Sequence, residues 1–155
     1  IYCLFLAIYL YIVDMKYLHT MVRISDIEKS LDFYCKKLGL KELRRKESKK
    51  GRYTLIFLAS ENSDEKHNLL ELTYNWDPEK YSNGRNFGHL AYSVKNIYDT
   101  CKNLMDNGVT INRPPRDGRM AFIKSPDGIS IEILQEGEAL KIIDPWKSMD
   151  NEGDW

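Results

Sequence analysis

The chain has 155 residues, 43% of them hydrophobic, which is enough for one hydrophobic core or for two small modules that share one. Its 23 basic and 23 acidic residues balance, which argues against the polybasic surface typical of nucleic-acid-binding domains. Three widely spaced cysteines match neither a disulfide framework nor a zinc-finger pattern, so we expect a protein of the reducing cytoplasm.

Residues 1–14 stand apart from the rest of the chain. The unbroken apolar run Ile1–Val13 is too short as a helix to cross a hydrocarbon core of about 30 Å. It also lacks the positive start and the small-residue cleavage site of a signal peptide. We interpret residues 1–14 as a non-native extension or apolar leader, with the native start at Met15. A short membrane-surface anchor is the alternative.

An internal repeat organises residues 15–135. Each half opens with a short predicted strand that carries a histidine, His19 within Tyr17–Ile24 and His89 within Phe87–Val94. The two histidines lie 70 residues apart. Such self-similarity predicts two copies of one structural unit.

A predicted helix follows each of these strands. In the first half, Ser25 and Glu28 suggest a capping box, and Gly39 ends the helix. In the second half, Asn96 caps the helix and Gly108 ends it. The apolar positions follow one helix face, i, i+4, i+7 and i+8, in both halves: Ile27, Leu31, Tyr34 and Cys35, then Ile97, Cys101, Leu104 and Met105.

Strands complete each half. The predicted strands are Tyr53–Ala59 and Leu69–Tyr74 in the first half, and Val109–Asn112, Met120–Lys124 and Ile129–Leu134 in the second. The pattern predicts an α+β domain over residues 15–135, built from repeats at about 15–75 and 86–135. Residues 136–155 form an irregular tail that could dock through Trp146 and Trp155.

Each half ends with a glutamate inside an otherwise apolar strand, Glu71 in the first and Glu132 in the second. A carboxylate on a central strand needs a partner, because burying it alone costs several kcal/mol. Since the two histidines and two glutamates occupy equivalent positions, the sequence predicts one divalent metal held by His19, Glu71, His89 and Glu132. Mixed nitrogen and oxygen ligands suit nickel, cobalt, zinc or iron(II).

Simpler readings exist for single residues. A lone strand histidine is more often structural than a ligand, and a lone strand glutamate can lie on an exposed face. It is the repetition of both residue types that favours the metal site. Cys35 and Cys101 lie on the apolar helix faces, so we interpret them as core residues rather than nucleophiles.

Several segments together resemble the glyoxalase I (lactoylglutathione lyase) family of the vicinal oxygen chelate superfamily, most closely its short bacterial type. They are His19-Thr-Met-Val-Arg23, Glu71-Leu-Thr-Tyr-Asn-Trp76, Phe87-Gly-His89, Ser125-Pro-Asp-Gly128 and Ile131-Glu132. The resemblance implies paired βαβββ modules and a homodimer in which the two chains share each metal site. Nickel is the metal that it favours, with cobalt or zinc as alternatives.

The same resemblance implies an activity and roles for residues. The substrate would be the hemithioacetal of methylglyoxal and glutathione, and the product S-lactoylglutathione. Glu132 would be the main base and Glu71 the second carboxylate of the proton transfer. Five residues are candidates for binding glutathione: Arg23 and Asn75 at its glutamyl end, Arg85 at its glycyl carboxylate, and Arg113 or Arg119 to complete the glycyl pocket. A surface charge is the alternative interpretation of Arg113 and Arg119.

Two features depart from the family. The segment Asn112–Met120 is shorter than the usual loop over the substrate, and Ser130 replaces a bulkier residue of some members. Other functions therefore remain as alternatives: another metal-dependent superfamily enzyme, such as an acyl-coenzyme A epimerase or a glutathione-transferring resistance enzyme, or a non-catalytic small-molecule binding module. The presence of all four ligands argues against the binding module.

Overall fold

The structure, a computed structural model, describes residues 16–61, 63, 67–82, 84 and 86–155. The expectations about residues 1–14, Met15 and Arg85 therefore lie outside the described residues. In the part of the chain that is described, no helix is long and apolar enough to cross a membrane.

The first module contains four strands and one helical segment. Strand β1 (His19–Ile24) leads into helix α1 (Ile27–Leu31), which continues as a π-helical segment (Asp32–Lys37), and strands β2 (Lys41–Ser48), β3 (Tyr53–Ala59) and β4 (Leu69–Asn75) follow. The sheet order is β1-β4-β3-β2, with β1 parallel to β4 and the other neighbours antiparallel. β1 and β4 therefore lie side by side.

The second module repeats this topology. It comprises β5 (Leu90–Val94), α2 (Ile97–Asp106), β6 (Ile111–Arg113), β7 (Met120–Lys124) and β8 (Ser130–Gln135). The order β5-β8-β7-β6, with β5 parallel to β8, matches that of the first sheet. The predicted α+β fold of paired βαβββ modules is confirmed.

The start of α1 differs from the prediction. Asp26 is the N-cap, and its side chain accepts a hydrogen bond of 3.0 Å from the backbone N–H of Lys29. The capping box at Ser25 and Glu28 is therefore wrong. Both the backbone N–H and the hydroxyl of Ser25 donate instead to the carboxylate of Asp127, at 3.0 and 2.5 Å, which links the first module to the turn before β8.

One hydrophobic core is shared by the two modules, and alternating strand residues build it. Ile56 and Leu72 of the first sheet are fully buried in the same cluster as Ile97 and Ile131 of the second module. Glu71, between Leu70 and Leu72, points to the opposite face of its sheet. Glu71 therefore lies on the face of its sheet that is turned away from the shared core.

The helical cysteine of the second module belongs to the core, as predicted. Cys101 is completely buried, and burial raises the pKa of its thiol to about 12. Cys35 is half-buried, and burial raises its pKa as well. Neither thiol is ionised near neutral pH, so neither is a ready nucleophile.

The tail is irregular apart from one 3₁₀ turn (Trp146–Ser148). Trp146 is only 6% exposed, and its ring stacks on that of Tyr98 in α2 with 6.0 Å between the ring centroids. The Tyr98 hydroxyl donates to the backbone carbonyl of Lys141. The tail is thus packed against the second module, as predicted for Trp146.

Candidate metal centre

The first half-site lies where β1 and β4 run side by side. Glu71 is paired with Met21, so His19, two residues earlier in β1, projects from the same face of the sheet. His19 Nε2 lies 3.2 Å from Glu71 Oε2. Glu71 is 8% exposed, and its other oxygen accepts a hydrogen bond from Thr73 Oγ1.

The second half-site has the same construction. Glu132 in β8 is paired with Ala91 of β5, and His89 comes two residues before Ala91. His89 Nε2 lies 3.2 Å from Glu132 Oε2. The imidazole is 42% exposed and the carboxylate side chain 15% exposed, so this pair also opens to solvent on the histidine side.

A phenylalanine supports each imidazole from the neighbouring central strand. Phe57 is paired with Glu71, and Phe122 with Glu132. The His19 ring stands edge-on to Phe57 at 5.7 Å and 79°, and the His89 ring edge-on to Phe122 at 5.4 Å and 86°. The repeat thus extends to the aromatic packing that orients the histidines.

The structure brings the four predicted ligands together in two pairs rather than as one cluster. One pair lies on the first sheet and the other on the second. Within the described ranges, no group of three or more His, Cys, Asp or Glu side chains is close enough to hold a metal ion. Within those ranges, a single chain therefore offers two half-sites, each with one histidine and one glutamate.

The chemistry of each pair suits a cation. In a neutral imidazole, the ring nitrogen that lacks a proton has a lone pair available to a metal, and a carboxylate oxygen is a hard anionic ligand. Both atoms meet at the open side of a sheet, while Thr73 holds the far oxygen of Glu71. Such outer hydrogen bonds are typical of metal-ligating carboxylates.

Two predicted glutathione-binding residues lie near the first half-site. Arg23 is exposed on β1, opposite Thr73, and shares a strand face with His19. Asn75 ends β4, where its amide lies 3.4 Å from a carboxylate oxygen of Glu79. Both therefore lie farther along β1 and β4, on the sheet face that carries His19 and Glu71.

The other predicted arginines make contacts within the chain. Arg113 donates to the backbone carbonyl of Met120 and, at 2.8 Å, to the carboxylate of Asp117. Arg119 donates to the backbone carbonyl of Gly137 at 3.0 Å. These guanidinium groups hold the loop before β7 and the start of the tail.

Sequence analysis did not predict that four residues would lie beside the half-sites. Phe57 and Phe122 lie at equivalent places on the central strands, so the same repeat comparison could have found them. The Arg44 guanidinium lies over the Phe57 ring, 4.0 Å from its centroid, on β2, where most residues are exposed. Trp155 lies beside Phe122, with 6.2 Å between ring centroids.

Residues 16–133 match the family model described as Glyoxalase/Bleomycin resistance protein/Dioxygenase superfamily. The chain is 41% identical over 126 residues to a probable lactoylglutathione lyase of a Synechocystis strain, which covers 78% of this chain and 95% of that protein. It is 40% identical over 130 residues to lactoylglutathione lyase of Escherichia coli O157:H7, with 81% and 96% covered.

Solved structures of glyoxalase I are also similar to this chain. The trypanothione-dependent glyoxalase I of Leishmania major is similar with a TM-score of 0.70 and 36% identity, over 78% of this chain and 86% of that one. Glyoxalase I from Zea mays is similar with a TM-score of 0.69 and 31% identity, over 79% of this chain and 45% of that one.

Proposed function

Because the chain belongs to the Glyoxalase/Bleomycin resistance protein/Dioxygenase superfamily, we propose that it acts, like its relatives, as a lactoylglutathione lyase, through a metal centre that two copies complete. It isomerises the hemithioacetal of methylglyoxal and glutathione to S-lactoylglutathione, which removes methylglyoxal. The observation that carries this proposal is the duplicated half-site, two histidine–glutamate pairs with the same separation of 3.2 Å.

A homodimer would complete the site. Each half-site has one nitrogen and one oxygen ligand, whereas metal centres in proteins usually have at least three protein ligands. A symmetric pair of chains would bring His19 and Glu71 of one copy to His89 and Glu132 of the other. Exposed apolar side chains on β1 or directly before it support such an interface: Tyr17, Leu18 and Met21.

The residues fit a divalent metal, since two imidazole nitrogens and two carboxylate oxygens are a common mixed set of ligands. Nickel is the preferred assignment, with cobalt and zinc as the alternatives. When bound, the metal would supply Lewis-acid polarisation of the two adjacent oxygens of the substrate.

The glutamates would move the proton. A carboxylate oxygen of Glu132 takes the proton from the carbon that carries sulfur and returns a proton to the neighbouring carbon. The hydroxyl proton moves between the two oxygens in the same reaction, so the hemithioacetal becomes a thioester and no atom is gained or lost. Glu71 is the second carboxylate, and Phe57 and Phe122 keep the two imidazoles in position.

Glutathione carries two carboxylates, and the chain offers cations for them. Arg23 and Asn75 would hold the glutamyl end, because both lie along β1 and β4 beyond Glu71. Arg85 is assigned to the glycyl carboxylate. Arg113 and Arg119 would complete that pocket only by exchanging their present contacts for the ligand.

The thiol and the compartment belong to the same proposal. Glutathione is the thiol named in the activity of most of the relatives, whereas trypanothione is named for the Leishmania major enzyme. We assign glutathione to this chain and place the protein in the cytoplasm, since both described cysteines are free thiols.

The test is an activity assay on metal-stripped protein that is reloaded with nickel, cobalt or zinc, one at a time. Methylglyoxal is supplied with glutathione and, separately, with trypanothione. We expect activity with glutathione, highest with nickel. Activity with none of the three metals and neither thiol would contradict the proposal.

A matched pair of variants tests the role of Glu132. Glu132→Gln keeps the shape of the side chain but removes the base, so we expect kcat to fall by about 10²–10⁴-fold. Glu138→Gln makes the same change in the exposed part of the tail and should behave as the wild type. Equal activity of the two variants would remove Glu132 from the mechanism.

A further inference from the structure

The end of the tail is held against the second sheet by specific bonds. Glu152 and Asn112 exchange two hydrogen bonds, from the Glu152 backbone N–H to the Asn112 carbonyl at 2.9 Å and from the Asn112 amide to the Glu152 carbonyl at 2.8 Å. Asp154 forms an ion pair of 2.7 Å with Lys124 of β7. These contacts hold the segment that directly precedes the next side chain.

That next side chain is Trp155, and it lies on the face of the second half-site. Its indole ring is 6.2 Å from the ring of Phe122, tilted by 33°. Phe122 is itself edge-on to His89 and paired with Glu132. The Phe122 ring therefore contacts both the indole of Trp155 and the His89 imidazole that we assign to the metal.

Beside the indole is a cavity of about 210 Å³. Trp155, Phe87, Lys124 and Ser130 are among the residues that line it, and the cavity borders Gly88, which directly precedes His89. Ser130 is small and lies on the same strand face as Glu132, so it leaves room there for a ligand group.

Polar side chains and two aromatic rings both line this cavity. Asp154 neutralises Lys124, the cation of the lining. Trp155 and Phe87 each remain 44% exposed, so aromatic surface is available to a ligand. Covering such surface is favourable in proportion to the apolar area removed from water.

We propose that Trp155 is a specificity-determining residue, whose indole contacts the apolar substituent that the substrate carries from its 2-oxoaldehyde. This inference rests on the proposed lyase function. Because the indole is separated from His89 by the Phe122 ring, a methyl group is too short to cover it, whereas an aromatic substituent can. The contribution of Trp155 therefore grows with the size of the substituent.

The test compares Trp155→Ala with the wild-type, nickel-loaded protein on two substrates, the glutathione hemithioacetals of methylglyoxal and of phenylglyoxal. We expect the preference for phenylglyoxal, as a ratio of kcat/KM values, to fall by roughly tenfold, the size of an aromatic contact. Trp155→Phe should restore most of it. Ile143→Ala, an equally exposed apolar position in the same tail, should leave both substrates unchanged.

A binding measurement separates this inference from the lyase activity. Dissociation constants of S-methylglutathione and S-benzylglutathione are measured by calorimetry on the same proteins. Trp155→Ala should weaken the benzyl derivative more than the methyl one. If the wild type is active and both ratios are unchanged in Trp155→Ala, the inference is wrong. If the wild type has no lyase activity, the proposed function fails, and the binding ratios alone decide the role of Trp155. Should Trp155→Ala not fold, Trp155→Phe decides, with a smaller loss in both ratios expected.

Discussion

Replacing Trp146 with alanine tests how firmly the tail is attached to the second module. The side chain is 6% exposed and stacks almost parallel on Tyr98, with an angle of 8° between the rings. It also joins the shared hydrophobic core. Removing the ring would therefore expose core surface and leave Tyr98 without its aromatic neighbour.

The expected loss follows from the buried area. A tryptophan buries about 150–250 Å², and at about 25 cal/mol per Å² this is worth roughly 4–6 kcal/mol. Residual burial in the unfolded chain reduces the figure by about 10–40%. We therefore expect the free energy of unfolding to fall by about 4 kcal/mol, within the range of roughly 3–5 kcal/mol for Trp→Ala in cores.

The assay is urea unfolding followed by circular dichroism. Ile143→Ala is the control, since this side chain is 42% exposed in the same tail and should change stability by no more than about 0.5 kcal/mol. A loss below about 1 kcal/mol in Trp146→Ala would refute the reasoning, because it would mean that the tail contributes little to the folded state.

Three further predictions concern the loop and the core. Gly118 has a φ of +68°, and an added Cβ would overlap a backbone carbonyl of the tail, whereas Gly108, with a φ of +75°, has open space around it. In urea unfolding, Gly118→Ala should therefore lower the free energy of unfolding by about 2–3 kcal/mol, and Gly108→Ala by about 1 kcal/mol. Equal losses in the two variants would contradict the predicted clash at Gly118. Burial opposes ionisation of Asp117, but hydrogen bonds from Arg113 and from backbone amides outweigh it and lower its pKa below the ordinary 3.8. Asp117→Asn should destabilise the protein at neutral pH, and the difference should vanish as the pH falls through the lowered folded-state pKa; a difference in urea unfolding that is independent of pH would exclude this role. Burial raises the pKa of the Cys101 thiol to about 12. Cys101 should therefore resist alkylation by iodoacetamide at neutral pH until the protein is unfolded, which peptide mass spectrometry would measure. Labelling of the folded protein at the rate of a free thiol would contradict this and show that the helix opens.

The repeat made much of the fold predictable, together with the two histidine–glutamate pairs of the candidate site. Mostly apolar runs predicted the bounds of β3 and β7 as the structure has them. A glutamate within an apolar strand is rare enough to be informative, and Glu71 and Glu132 both turned out to face a histidine. These signals depend on local periodicity and on the high cost of burying a charge, which the sequence displays directly.

Contacts between distant segments were not predictable in the same way. Ser25 met the local rule for a cap, but its hydroxyl is bound by Asp127, 102 residues away, so Asp26 caps the helix. Trp155 lies in a tail without periodicity, and it meets Phe122, which is 33 residues earlier in the chain. The equivalence of the two halves of the chain also does not show whether their half-sites meet within one chain or between two chains.

Complementation between two inactive variants tests the proposed metal centre, shared between two copies of the chain, most directly. One variant carries His19→Ala and Glu71→Ala, and the other His89→Ala and Glu132→Ala. Each homodimer has no complete site, whereas a mixed dimer has one intact site of its two. Since about half of the dimers are mixed on equal co-expression, we predict about a quarter of the wild-type activity. Activity no higher than that of either variant alone, in preparations shown to contain mixed dimers, would contradict a site built from two copies of the chain.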